Sequence, residues 1–157
     1  MTGLIEGFLK RFRSPLKLDD ELVAEQENRY FLLSKNLKRF VSNDFFYAGI
    51  YLGKAKGARF FPSFHLLWMM AQDEANKIFV DEKTEWLFIC GRDVFKRGIV
   101  KVMGSGKKGG HTLVLNSKGE CLGFGRIIRD LNKTSAVAVR NISDVGDFLR
   151  RETHFEK

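Results

Sequence analysis

The sequence predicts an α/β (α+β) N-terminal domain over residues 1–83, followed by a compact β-barrel or sandwich with two short helices over residues 84–157. Three observations predict it. The chain has 157 residues, 44% hydrophobic and 13% aromatic, enough to bury one good core or two small ones. In the first half helix-period and strand-period patterns alternate. In the second, short apolar runs recur at regular spacing between turn formers.

Each element has its own reason. Leu4, Ile5, Phe8, Leu9 and Phe12 recur at steps of three and four with Lys10, Arg11 and Arg13 between them, an amphipathic helix that Pro15 ends. Leu16 to Gln26 is acidic and reads as a short helix or a loop. Tyr30 to Leu33 reads as a buried strand. Ser34 is an N-cap for a helix through Val41 with Leu37, Phe40 and Val41 inward. Phe45 to Gly53 has the aromatic and β-branched content of a strand, with a basic turn at Lys54 to Gly57 before Arg59-Phe60-Phe61. A helix starts at Pro62-Ser63, with Phe64, Leu67, Trp68 and Ala71 on one face. The Trp68-Met69-Met70 cluster reads as core. Ile78-Phe79-Val80 closes this half, and Asp81 to Thr84 is the linker.

Beyond the linker, Glu85 to Cys90 reads as a strand, Arg92 to Arg97 as a short helix and Ile99 to Met103 as a strand. Gly104 to Gly110 is a loop of turn formers. Strands follow at His111 to Leu115, Cys121 to Arg129 and Ala136 to Val139, the first two joined by a hairpin turn at Asn116 to Gly119. A last helix begins near Ser143 or Asp144 and buries Val145, Phe148 and Leu149.

Several functions are argued against. A phosphate-binding P-loop fails twice, because Lys101 stands where its first glycine belongs and Lys108 where its Ser or Thr belongs. The dinucleotide fingerprint fails at Ile128, the place of a third glycine after Gly123 and Gly125. His65, His111 and His154 are scattered, and Cys90 and Cys121 stand singly in apolar runs, as buried thiols do. No metal, cofactor or catalytic set is expected. No run reaches the roughly 18 to 20 apolar residues of a spanning helix, and Met1 to Arg13 lacks a secretory pattern, so an intracellular protein without a membrane partner is expected.

Charge is the positive signal. The net charge is +8, and residues 84–157 carry 14 Lys and Arg against 8 Asp and Glu, whereas residues 1–83 carry 13 against 11. Between Lys96 and Lys133 nine cations face two acids. Solvated surfaces usually interleave the signs, so this bias points to phosphates. The expected RNA contacts are Lys101, Lys107, Lys108, Arg126, Arg129 and Lys133, with Arg150 and Arg151 as further candidates. Gly123 and Gly125 would let the RNA strand come close. For a regular strand Arg126 and Arg129 point to opposite faces, so a bulge is required for them to act together. Two other readings share the charge: an adaptor for an acidic protein partner, and an accessory RNA-binding subunit of an RNA-modifying enzyme.

Motif order narrows the choice. Gly91-Arg92-Asp93-Val94 with Gly98, then Leu122-Gly123-Phe124-Gly125, then Asp144-Val145-Gly146 followed by Phe148-Leu149-Arg150, resemble the Nip-seven family of large-subunit ribosome biogenesis factors. Arg59-Phe60-Phe61-Pro62-Ser63, Leu66-Leu67 and Ile78-Phe79-Val80 fit that family's pre-PUA domain. Arg126-Ile127-Ile128-Arg129, where eukaryotic members have small residues, is nearer the compact archaeal type. The resemblance implies a pre-PUA domain over residues 1–83 and a PUA barrel over residues 84–157. It also implies a non-enzymatic factor in pre-rRNA processing that prefers single-stranded, uridine-rich RNA without DNA specificity. Ribosome-assembly or RNA-processing proteins would meet the N-terminal domain, in the cytoplasm of an archaeon or the nucleolus of a eukaryote.

Overall fold

The computed structural model describes residues 3–152, with the side chains at 148, 149, 151 and 152 outside the description. Among the described residues two sheets and five α-helices share the work. The first sheet has the antiparallel order β1 (Val23–Gln26), β2 (Arg29–Leu32), β3 (Ile50–Lys56), β4 (Arg59–Pro62). The second runs β6 (Val94–Phe95), β10 (Val137–Asp144), β9 (Cys121–Ile127), β8 (His111–Leu115), β5 (Lys77–Val80), β7 (Ile99–Met103). Its β5–β8 pair is parallel and the others antiparallel.

The two faces of the second sheet are buried differently. One carries Leu113, Leu115 and Phe124 into a core shared with Ile5, Phe8 and Leu9 of the first helix, Phe12 just past its end, and Leu66, Leu67 and Met70 of the third. The other carries Ile78, Val114, Leu122, Ile127 and Val139 round Phe88 of the fourth helix. These helices are α1 (Gly3–Arg11), α3 (Phe64–Gln72) and α4 (Glu82–Ile89). The short α2 (Lys35–Lys38) and the closing α5 (Val145–Glu152) complete the set. The β5 strand lies in the second sheet, which therefore begins at Lys77, and the expected division at residues 83/84 falls inside α4.

Several elements differ from expectation for identifiable reasons. Glu85 to Cys90 is helical, because Asp81 caps α4 through its Oδ1, 2.7 Å from the Thr84 amide; a five-residue apolar run is too short to show its period. Only Thr84 and Phe88, four apart, are buried in it. Arg92 to Arg97 forms β6 and one 3-10 turn (Lys96–Gly98), since Val94 inserts beside Phe88 and pairs with Val139. The acidic stretch contributes β1, which pairs with β2 in full register. The third strand begins at Ile50, and Lys54 and Lys56 belong to it, leaving the turn to Gly57 and Ala58. Helix α2 has four residues, and Phe40 is exposed. In α3 the buried stripe is Leu66, Leu67, Met70 and Ala71, so Met70 is core while Phe64 and Trp68 face outward. Cys90 lies exposed at the end of α4, while Cys121 is half-buried and its thiol is pushed up to about 11 by burial. Phe148 and Leu149, expected to be buried, have side chains outside the described residues.

Candidate nucleic-acid interface

The loop after β7 carries Lys107 and Lys108 and bonds to the segment that bears Arg126 and Arg129. Gly104 takes φ +82° against Asn76, whose Oδ1 accepts from Ser105 N at 3.0 Å and whose Nδ2 donates to the His111 carbonyl at 3.3 Å. Beyond this anchor the loop crosses to the end of β9. Gly109 N donates to Ile127 O at 2.7 Å, Ile127 N to Gly110 O at 2.8 Å, and Leu131 N to Gly106 O at 2.9 Å. Lys107 and Lys108, both exposed, are thereby held beside residues 127–131. Arg126, at the same end of β9, is in register with His111 of β8 and Arg140 of β10, so the three project from one face. Arg129 donates from its guanidinium to Val137 O at 2.7 Å, and Lys133 is exposed in the β9–β10 connection.

Lys107, Lys108, Arg126, Arg129 and Lys133 thus gather at one end of the sheet. Asp130 is an acid within this group, and its Oδ1 is engaged by the Asn132 amide at 3.0 Å. Two further cations belong here that sequence reasoning missed. The His111 pKa is lowered, first by burial and then by Arg11 and Arg126, which sets Arg11 of α1 beside the patch. Arg140 joins through register alone. Arg11 had read as the wet face of a helix, and Arg140 lay one residue beyond the expected strand; pairing, invisible in a linear pattern, brings them in.

Other expected contacts are placed elsewhere. Lys101 lies on edge strand β7 opposite Phe79, with its Nζ 5.5 Å from that ring's centroid. Phe79 pairs with Leu115, the far end of β8 from His111. At ordinary strand dimensions Lys101 is about 13 Å along and about 14 Å across the sheet from Arg126. Gly123 and Gly125 are buried, and the room they leave is taken by β10: a Cβ on Gly123 would strike the Ser143 carbonyl and one on Gly125 the Arg140 carbonyl. Their bulge is real, with register shifts on both sides of β9, but it serves strand approach and not a ligand. Arg150 is a clamp. It donates to both carboxylate oxygens of Asp144, at 2.9 and 3.1 Å, and to Ile89 O at 2.6 Å. The Arg151 side chain and His154 lie outside the described residues.

The ordered Gly-Arg-Asp and Asp-Val-Gly motifs have structural work, toward the other end of β10 from Arg140. Asn141 donates to Phe88 O at 2.9 Å and to Asp144 Oδ2 at 3.0 Å, and its amide donates to Asp93 Oδ1 at 2.9 Å. Gly91 at φ +88° lies against the Arg150 guanidinium, and a Cβ on Gly146 would strike Ile89 O. The Gly-Arg-Asp and Asp-Val-Gly motifs together lock the end of α4 to β10 and α5. Among the described residues no group of three or more His, Cys, Asp or Glu could hold a metal ion, and no helix is long and apolar enough to cross a membrane.

Comparison with known proteins agrees with this architecture. Residues 76–153 match the UPF0113 PUA domain family. These residues have the PUA-domain fold. A UPF0113 protein of Archaeoglobus fulgidus is 30% identical over 111 residues, 68% of this chain and 63% of the relative's length. A conserved PUA domain protein from Thermoplasma acidophilum superposes with a TM-score of 0.54 at 26% identity, over 83% of this chain and 79% of its own. A PUA domain from Aeropyrum pernix K1, solved as a tartrate complex, reaches 0.61 over 96% of this chain and 86% of its own; at 15% identity it shows the fold alone. PUA domains as a class bind RNA.

Proposed function

We propose that this protein is a non-enzymatic factor that binds single-stranded RNA through the basic end of its PUA domain and acts in large-subunit ribosome assembly, as the Nip-seven resemblance implies. The observation that carries the reading is the clustering of Lys107, Lys108, Arg126, Arg129 and Lys133, joined by Arg11 and Arg140, with one oxygen of Asp130 engaged in its own turn. Uridine preference and a role of the N-terminal half in meeting assembly proteins follow from the resemblance.

A fluorescence-anisotropy titration with oligouridine over a salt series tests it. Five phosphate contacts on a single strand predict a log–log slope of about −3.5, and Arg126→Ala should make it shallower by about 0.7. Arg126→Glu with Arg140→Glu should abolish binding at moderate salt. Unchanged affinity and slope in that double variant would remove this end of the sheet from the interface.

A further inference from the structure

The outer face of the N-terminal sheet carries a second set of aromatic and basic side chains. In register, Arg29 of β2 stands opposite Lys54 of β3, Lys54 opposite Phe61 of β4, and Lys56 opposite Arg59. Leu52 is the extra residue of a bulge between the Tyr30–Gly53 and Phe31–Tyr51 pairs; beyond it Tyr30, Ala55 and Phe60 turn inward to the shared core, so by alternation these cations and Phe61 point outward. On the same side Phe31 is fully buried beneath the rings of Phe45, Tyr47 and Tyr51, whose centroids lie 5.2 to 5.5 Å away. Gly49, at φ +65° against the Leu32 carbonyl, pins the covering segment to β2.

Two rings of that segment face water, Phe46 at 83% and Tyr47 at 58% exposure. They are held in place all the same. The Arg29 guanidinium lies 5.0 Å from the Phe46 centroid and 5.6 Å from that of Phe31, and Tyr47 packs on Phe31 at 5.2 Å. Against the four cations of the face stand Glu27, 3.8 Å from Arg29, and Asp44 of the covering segment. Oriented, exposed rings in a basic frame match the bases and phosphates of a single strand, where each base offers a stacking face. A protein partner fits less well, because interface cores are depleted of lysine and this face carries Lys54 and Lys56.

We propose that this face is a stacking platform for the bases of single-stranded RNA, with Phe46 and Tyr47 as the rings and Arg29, Lys54 and Arg59 on the flanking phosphates. The inference rests on the RNA-binding reading and adds a second contact that the PUA domain does not supply. The test is oligouridine of about 12 nucleotides, long enough for a multi-base site, titrated against the full-length protein. Phe46→Ala, at a side chain that is mostly exposed, should weaken binding between about fivefold and about a hundredfold, the loss of one stacked base. Lys54→Ala should weaken it and make the salt slope shallower. Ultraviolet crosslinks mapped by mass spectrometry should fall on residues 45–51 as well as on 104–133.

Wild-type protein that binds no oligonucleotide overturns both readings. Binding that Arg126→Glu abolishes but Phe46→Ala and Lys54→Ala leave unchanged, with crosslinks confined to 104–133, overturns the platform alone. Binding that survives Arg126→Glu yet falls in Phe46→Ala overturns the PUA interface and keeps the platform. Retained RNA affinity in Phe46→Ala together with loss of a purified acidic protein partner assigns the face to protein, and overturns the platform also.

Discussion

His111 stands where the two halves meet the basic end: its ring packs 5.6 Å from Phe12, and the charges of Arg11 and Arg126 bear on it. Burial and then these two guanidinium groups lower its pKa below the ordinary value, so the free protein disfavours the imidazolium. In the unfolded chain the proton binds first. Stability supplied by the neutral ring is therefore present above about pH 6.5 and is lost as pH falls from there toward the lower folded value. A phosphate bound by Arg126 would reverse the balance by favouring the imidazolium. RNA affinity should therefore rise severalfold between pH 7.5 and pH 6 (roughly, by linkage), and His111→Gln should flatten both trends. Anisotropy and thermal melts over that range check it, and a pH-independent affinity in the wild type would separate His111 from the interface. Single residues were legible here only in part. Gly123 and Gly125 stood out as special, but their reason, the Ser143 and Arg140 carbonyls of β10, depends on a pairing that sequence spacing does not reveal.

Helix α4 is one of the elements that differ from expectation, and the residue that decides it stands in the expected linker. Asp81 accepts from the Thr84 amide, and its pKa is lowered first by the Thr84 side-chain hydrogen bond and then by the backbone one. The ionised cap thus stabilises the fold above the ordinary carboxylate range and loses that contribution as pH falls through its depressed value. Asp81→Ala should cost about 1 kcal/mol, or about 2–4 °C in a melt at neutral pH, with Asp81→Asn losing only part. A melt unchanged at neutral pH would show that α4 is held by Phe88 and the Asn141 clamp without its cap. The strands of the second sheet were easier to read. Ile99 to Met103 and His111 to Leu115 match the structure residue for residue, because each is a β-branched run between glycine-rich turns. The aromatic run near Phe45 misled for the opposite reason: its rings cover Phe31 from an irregular segment, and ring content alone does not distinguish that from a strand.

At the scale of the molecule the expected two-domain picture meets a shared core. Phe8 of α1 and Phe12 just past its end stack edge-on against Phe124 of β9, both at 5.5 Å, and Leu113 and Leu115 complete the contact from the second sheet. The amphipathic period of α1 announced a buried face but not what it would cover, since the partner strands lie about a hundred residues away. Fully buried between Phe8 of α1 and Phe124 of the second sheet, Phe12 is one of the residues through which their stabilities couple. Phe12→Ala should cost about 3–5 kcal/mol, as for other large core truncations. The loss should appear in one transition, with near-ultraviolet dichroism, far-ultraviolet dichroism and tryptophan fluorescence melting together. A fragment of residues 76–157 would expose Leu113, Leu115 and Phe124 at once, and should bind a hydrophobic dye and give a poorly dispersed amide spectrum. Two separable transitions in the full chain, or a well-dispersed spectrum from the fragment, would show that the PUA domain stands alone and that α1 merely rests upon it.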